Sequence, residues 1–402
     1  MHKQKSDEPS ISFEQALKDQ SSFNWHPSSP EPLVSLDYGD ECQLKNAAFQ
    51  SFLKSNGISL KPKELIPSPK PRHYRTTTKR RVFCERDGIG LGFSQAVKPG
   101  ICAESELEPT EHLDIYKWLQ LTLQKKSFHS LSRALNWLIV RGTYERQFLI
   151  LNIYKMDGDV VRKLKQLTKL LINEKIVEGA MAYFDPTRSE YYLEAEKPPR
   201  GIQVKHLFGP RLLGLRVNDT LMRYSPTGFS QVNESMVCEM VDLATQMLKP
   251  EANDQLLDLY CGYGLFSHTV GAKCKKVVGV ELSSSAIESA QEIAKRLKTR
   301  NRMQFHDEKI DASLVRDKFD PPTQSELILL DPPRKGCEPY VIANLAKRNP
   351  KRVLQIFCGT DAVPREILEW QRAGYMAKVI QPIDMFAGTP NLETMVLFEK
   401  KA

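Results

Sequence analysis

Long apolar runs are absent from this 402-residue sequence, and nowhere does a stretch approach the roughly 18 apolar residues that a membrane-spanning helix needs. The opening residues, MHKQKSDEPS, have no apolar core, so no secretory signal is expected there. Together the two absences set the expectation of a cytoplasmic protein with no membrane partner. Paired cysteines are missing as well. The eight present are Cys42, Cys84, Cys102, Cys238, Cys261, Cys274, Cys337 and Cys358, and none forms a C-x-x-C pair. That spacing argues against a zinc site, a redox dithiol or an iron–sulfur cluster. No metal is expected, and reduced thiols are, one of which can be catalytic.

What remains is ordinary in bulk and uneven in detail. At 41% hydrophobic and 26% charged residues the composition excludes whole-chain disorder, and the length allows two or three domains. The net charge of +8 is modest, but eight basic residues (Lys61, Lys63, Lys70, Arg72, Arg75, Lys79, Arg80 and Arg81) stand against Glu64 alone between positions 61 and 81. Basic charge neutralises phosphates, and His73 and Tyr74 inside the run are rings that can stack on bases. A solvated, proline-rich linker has the same composition, so the run by itself divides evenly between the two readings.

Residues 1–42 are polar with weak periodicity and read as a largely disordered tail. From Gln43 the pattern LKNAAFQSFLKS is helical, and the proline-rich stretch 66–71 ends it. Short β-like runs, RRVFCE and GLGFSQAV, come next. QFLILNIYK (147–155) is a strand candidate, and VVRKLKQLTKLLINE (160–174) an amphipathic helix with its lysines on one face. Residues 43–225 are thus expected to form an α+β module that binds the substrate. Over 226–402 short apolar runs alternate with helical patterns, the sign of a mostly parallel, doubly wound sheet. Its candidate strands are QLLDLY (255–260), KVVGVEL (276–282), ELILLD (326–331), RVLQIF (352–357), MAKVIQ (376–381) and the final ETMVLFEK.

LLDLYCGYGLF (256–266) is a strand running into a glycine-rich turn, where small residues let a ligand lie against the backbone. Only Gly262 and Gly264 of a dinucleotide fingerprint are present, with Ser267 in place of the third glycine. Glu281 ends the next strand, where a carboxylate can accept both hydroxyls of a ribose; capping the helix that follows is the plainer use. Asp331 stands at the tip of a buried strand before two prolines. The fourth residue of that D-P-P turn is Arg334 rather than an aromatic, which argues against methylation of an exocyclic amine.

RVLQIF delivers Cys358 to an FCGT turn ahead of the helical pattern AVPREILEWQ. A nearby helix N-terminus is expected to lower its pKa and favour the thiolate. Glu393 opens the last apolar strand, where a solvent-exposed acid is the ordinary case.

Taken together these segments resemble the uracil-5-methyltransferases of tRNA and ribosomal RNA, over roughly residues 43–402. The resemblance rests on GFSQVN (228–233), DLYCGYG (258–264), VGVE (278–281), DPPRKG (331–336), the turn at Cys358 and D-x-F-x-x-T-x-x-x-E (384–393). QLK (43–45) and PSPKPRHYR (67–75) match upstream. The resemblance implies a Rossmann-like methyltransferase domain over 226–402 that binds S-adenosylmethionine (SAM) through Gln231, Tyr260, Glu281 and Asp331. It makes Cys358 the nucleophile and Glu393 the base, with tRNA or ribosomal RNA as partner and RNA modification as the process. The residue types suit the chemistry. Carbon 5 of uracil attacks a methyl donor only after a thiolate has added to carbon 6, and a carboxylate must then take the carbon-5 proton so that the cysteine can leave. The target base must also leave its stack to be reached.

The match has departures. FCGT stands where the family has S-C-N-P, and FAGTPNLE keeps Thr389 and Glu393 of F-P-x-T-x-H-x-E without its proline and histidine. The asparagine that often follows the glycine turn is absent, as are the N-terminal β-barrel and the cluster cysteines of some relatives. A catalytically inactive RNA-binding paralogue is therefore a second reading. A cytosine-5-methyltransferase is a third, although those enzymes carry D-P-P-C where Arg334 stands.

Overall fold

The computed structural model describes residues 10–22, 29–189, 201–319 and 325–401. The chain forms two compact units. One combines Met1–Pro71 with Ser235–Ala402, and the other is Arg72–Glu234. This division departs from the boundaries expected at 43 and 226, because the N-terminal segment packs with the C-terminal sheet rather than with the residues that follow it.

The split unit begins with α1 (Phe13–Gln20) and α2 (Tyr38–Ser55). The Ser12 hydroxyl accepts from the Gln15 N–H, and Asp37 accepts from the Gly39 N–H, so both helices start on side-chain caps. Both elements lie wholly or partly in the segment expected to be a disordered tail, and they correct that expectation; positions 1–9 and 23–28 of it lie outside the described residues. An eight-residue helix is marginal alone. Here Phe13 meets Phe49 and Phe52 with ring centroids 6.0 and 5.9 Å apart, and this tertiary burial is what the local periodicity does not report.

The inserted unit contains β1 (Thr77–Cys84), β2 (Ile89–Gly92), α3 (Thr110–Leu123), α4 (His129–Ala134), β3 (Leu135–Gly142) and β4 (Gln147–Ile153). It continues with α5 (Gly158–Asn173), β5 (Gly179–Phe184), β6 (Gln203–Phe208) and the hairpin β7 (Leu213–Val217) and β8 (Thr220–Tyr224). β1 to β6 form one sheet in the order β2-β1-β3-β4-β5-β6, and only the pair joined through α5, β4 with β5, is parallel. Leu138, Val140, Leu149 and Leu151 on one face bury against Leu119 of α3 and Leu164 and Leu167 of α5. The expected strand at 147 and helix at 160 are β4 and α5.

The basic run is used differently from the sequence expectation. Tyr74 is fully buried, so it cannot stack on a base. Arg80 is buried in a fork of two 2.6 Å hydrogen bonds to the Glu108 carboxylate. The His73 ring shares a 2.8 Å hydrogen bond with the Glu108 carbonyl. Lys79 and Arg81 instead sit over the Trp137 ring, 4.7 and 5.6 Å from its centroid. Alternation along β1 explains the split: successive side chains point to opposite faces, and Arg80 takes the inward one.

The split unit resumes with α6 (Val237–Leu248), β9 (Gln255–Leu259), α7 (Leu265–His268), β10 (Lys276–Glu281), α8 (Ser284–Arg296), β11 (Met303–Asp307) and α9 (Ala312–Asp317). β12 (Glu326–Leu330), α10 (Val341–Lys347), β13 (Arg352–Phe357), α11 (Val363–Arg372), β14 (Tyr375–Ile383) and β15 (Glu393–Lys400) complete it. The sheet order is β11-β10-β9-β12-β13-β15-β14. Its first five strands are parallel, and the last two run antiparallel to their neighbours. This is the expected Rossmann-like α/β architecture. Its core includes Leu257, Ile328, Leu330, Val353, Ile367 and Trp370, the last stacked on Phe398 at 5.4 Å. Among the described residues no helix is long and apolar enough to cross a membrane.

Candidate active site

Parallel register aligns the strand ends. Leu259 pairs with Val280 on one side and Leu330 on the other. Tyr260, Glu281 and Asp331, each one residue further on, therefore emerge at the same carboxyl edge, where open α/β sheets bind ligands. β13 ends at the same edge and hands the chain to Cys358. β15 returns antiparallel, with Thr394 opposite Phe357. Extending that ladder by one residue sets Glu393 level with Cys358.

The turn after β9 is built around positive φ angles: Tyr260 at 64°, Gly262 at 54° and Gly264 at 81°. A Cβ on Gly262 would meet nothing within 4 Å, so the backbone is bare toward open space. Gly264 is needed for the opposite reason, since a Cβ there would press on His268 at 2.9 Å. Glu281 braces this turn. One carboxylate oxygen accepts from the Gly262 N–H at 3.3 Å and the other from the Ser283 N–H at 2.9 Å. The Tyr260 ring packs on the core alongside Cys337, so at the turn the residue presents its main chain.

One further carboxylate, that of Asp258, stands behind that edge. Asp258 is fully buried, accepts from Ser267 Oγ at 2.5 Å, and leaves Oδ1 without a partner. Burial, with Glu281 adding to it, pushes its pKa up to about 7. Burial, followed by the charges of Asp258 and Glu281, pushes Asp331 up to about 7 as well. Acids raised in this way gain from a cation nearby. A bare glycine turn, a braced acid at the end of β10 and two charge-frustrated aspartates fit a cationic nucleoside such as the SAM expected from the sequence.

Cys358 is half-buried, and its Sγ lies 3.6 Å from the Pro332 carbonyl, to which the thiol donates. Burial, then the charges of Glu393 and Asp331, raise its pKa, opposed by Arg334 and a backbone hydrogen bond. The expected lowering by a helix N-terminus is thus outweighed: the site of the free protein holds a thiol. Glu393 is 1% exposed and its Oε2 makes no hydrogen bond. Burial and Asp331 lift its pKa well above the ordinary glutamate value, again with Arg334 opposing. A buried, unbonded carboxyl beside a thiol is the reverse of the exposed strand-end acid that the sequence makes ordinary.

The turns themselves interlock. A Cβ on Gly359 would lie 2.2 Å from the Arg334 carbonyl oxygen, so FCGT packs backbone against backbone on D-P-P-R. Thr360 Oγ1 bonds both the N–H and the carbonyl of Leu392 at 3.2 Å. Glu366 of α11 accepts from the Cys337 N–H at 2.7 Å and holds the end of the same D-P-P-R loop.

Of the residues expected from the sequence, Cys358, Glu393, Tyr260, Glu281 and Asp331 meet at this edge. Gln231 belongs to the inserted unit, half-buried, with its carbonyl 3.4 Å from Thr76 Oγ1. There the GFSQVN and RHYR segments join, Thr76 donating its N–H to the Val232 carbonyl at 2.9 Å. Asp258, Thr360 and Glu366 were missed as functional candidates. Asp258 and Thr360 stood inside the quoted motifs without a role, and Glu366 lies on a helical face with nothing local to mark it.

The tRNA (uracil-5-)-methyltransferase family profile matches residues 202–401. An RNA methyltransferase of Nanoarchaeum equitans is 32% identical over 384 residues, covering 91% of this chain and 76% of its own. One from Halalkalibacterium halodurans is 29% identical, over 93% of this chain and 85% of its own. Among solved structures, the Pyrococcus abyssi tRNA (uracil-54, C5)-methyltransferase in complex with S-adenosyl-L-homocysteine superposes with a TM-score of 0.69. It is 19% identical, covering 93% of this chain and 88% of that one, a likeness of fold.

Proposed function

The chain belongs to the tRNA (uracil-5-)-methyltransferase family, and on that premise we propose that it methylates carbon 5 of a uridine in tRNA or ribosomal RNA through a covalent bond from Cys358 to carbon 6. The observation that carries the reading is the β13–β15 register, which sets a thiol level with a buried, unbonded carboxyl at the edge where the glycine turn lies open.

SAM supplies an electrophilic methyl group on a sulfonium. Glu281 and Asp331 would hold it, the first at the ribose and the second near the positive charge, along the Tyr260–Gly262 backbone; Gln231 is the proposed fourth contact. Cys358 gives up its proton to solvent water as its sulfur adds to carbon 6 of the flipped uracil; the C5–C6 pair passes toward the carbon-4 oxygen as an enolate, which makes carbon 5 nucleophilic and leaves Glu393 free for the later proton. Arg334, the one group that lowers the pKa of both Cys358 and Glu393, favours the thiolate and can balance charge on the uracil oxygens. After methyl transfer Glu393 takes the carbon-5 proton. The C5–H pair becomes the ring double bond, and the C6–S pair returns to Cys358.

The test is direct. Purified protein is incubated with SAM and, separately, with unmodified tRNA and ribosomal RNA, and the nucleosides are read by mass spectrometry beside Cys358→Ala. 5-Methyluridine from one RNA class, lost in the variant, supports the reading. 5-Methylcytidine would move the target to cytosine, and bound RNA without any product would make the chain a non-catalytic binder.

A further inference from the structure

Nothing in regular secondary structure holds residues 384–392, the loop that delivers Glu393. Besides backbone bonds from the Leu33 N–H to the Gly388 carbonyl and from the Asp384 N–H to the Ile66 carbonyl, what holds it is a buried polar cluster from α2. Lys45 Nζ donates to Asp384 Oδ1 at 2.7 Å, pairs with Glu41 Oε1 at 2.8 Å and donates to the Phe386 carbonyl at 3.3 Å. Its three N–H bonds are all used. Glu41 Oε1 also accepts from the Gly388 N–H at 2.6 Å, and Tyr38 donates to Asp384 Oδ2 at 3.0 Å. Glu41, Lys45 and Asp384 are each 0% exposed. The loop is therefore pinned from one helix through the Asp384 side chain and through the main chain at 386 and 388, and at 392 from Thr360.

A cluster of this kind is a poor device for stability alone, because desolvating the charges offsets most of their attraction, and apolar side chains of equal volume pack as well. Fixing one geometry is its better use. Glu393 has need of it. Its Oε2 makes no hydrogen bond, so the backbone that carries it sets where that oxygen points. We propose that Lys45, with Glu41 and Asp384 as its anchors, is a positioning residue for the proton-abstraction step. It holds the β14–β15 loop so that Glu393 can take the carbon-5 proton as the C6–S bond to Cys358 breaks. This rests on Glu393 being the base.

Wild type, Glu393→Gln, Lys45→Met and Tyr38→Phe are mixed with RNA and SAM, and the protein–RNA covalent complex is followed on denaturing gels alongside SAM affinity. In Glu393→Gln the methylated complex accumulates and persists. In folded Lys45→Met, SAM affinity and complex formation stay near wild type while release slows by about 10- to 100-fold, the scale on which small misplacements act. A merely structural role lowers the folded fraction and leaves release per folded molecule unchanged, and that outcome overturns the proposal. Should Lys45→Met fail to fold, Tyr38→Phe keeps the ion pairs and removes one hydroxyl; a several-fold slower release is expected, and a wild-type rate counts against the proposal. Failure of Glu393→Gln to trap any complex sinks the reading of Glu393 itself, a distinguishable result.

Discussion

Thr360 Oγ1 stands 3.2 Å from both the amide nitrogen and the carbonyl oxygen of Leu392, so one hydroxyl ties the turn after Cys358 to the residue before Glu393. Thr360→Val keeps the shape and leaves both buried groups of Leu392 unpaired, an expected cost of about 1–3 kcal/mol. Thr360→Ser, which keeps the hydroxyl, should be close to neutral. Thermal denaturation of the two variants measures the difference, and equal losses would show that the bond matters little.

Cys358→Ala should cut turnover by about a thousandfold or more, since the carbon-6 adduct cannot form. RNA binding and SAM binding should persist. Residual 5-methyluridine at a tenth of the wild-type rate is incompatible with a nucleophilic role.

Gly359→Asn restores the residue common in the family, yet its Cβ would collide with the Arg334 carbonyl at 2.2 Å. Displacing the D-P-P-R loop should cost about 1–3 kcal/mol, as overpacking does, and lower activity with it. An active, fully stable variant would mean that the two turns separate freely.

The raised acids give the molecule a pH signature. Burial pushes Asp258 and Asp331 up to about 7 in the folded chain, against 3.8 for a free aspartate. Between about pH 4 and about 7 the folded state thus binds more protons than the unfolded one, so these two groups make stability fall as pH rises. Asp258→Asn should flatten that slope in melting curves. A cation beside Asp331 favours its ionised form, so SAM affinity should rise through about pH 7 with release of protons, which calorimetry in two buffers reads. Affinity that is flat across that range counts against Asp331 as the acid near the sulfonium.

Glu281→Gln keeps the bonds to Gly262 and Ser283 only in part, since its amide nitrogen cannot accept, and removes the charge. SAM affinity should drop by roughly 10-fold or more, in line with about 1.5–3 kcal/mol for a hydrogen bond to a charged group. Titration calorimetry decides it; an unchanged affinity would assign Glu281 to bracing the turn alone.

The strands at 352–357 and 393–400 were legible to the residue, because short apolar runs bounded by polar residues, interrupted in the first by Gln355 alone, leave little freedom. Cys358 and Glu393 were legible as motif letters, and sheet register then sets them level. The thiol's protonation was not legible, since a helix N-terminus is visible in sequence and two carboxylates converging from other strands are not. Tyr74 and Arg80 mislead for the same reason: basic and aromatic letters look alike whether they face water or the interior, where Arg80 meets a buried glutamate. α1 was missed because its partners Phe49 and Phe52 lie on another helix.

The bond from Lys45 to Asp384 spans 339 positions, and it also sets the order of assembly. During synthesis the inserted unit is contiguous and can fold as soon as it leaves the ribosome, while α2 must wait with a lysine that has one of its two carboxylate partners still unmade. Closing so long a loop is slow, and it exposes the waiting helix to misassociation. The methyltransferase unit should therefore be completed only once β14 and β15 have been made, which leaves the nascent enzyme inert toward RNA until those strands are in place.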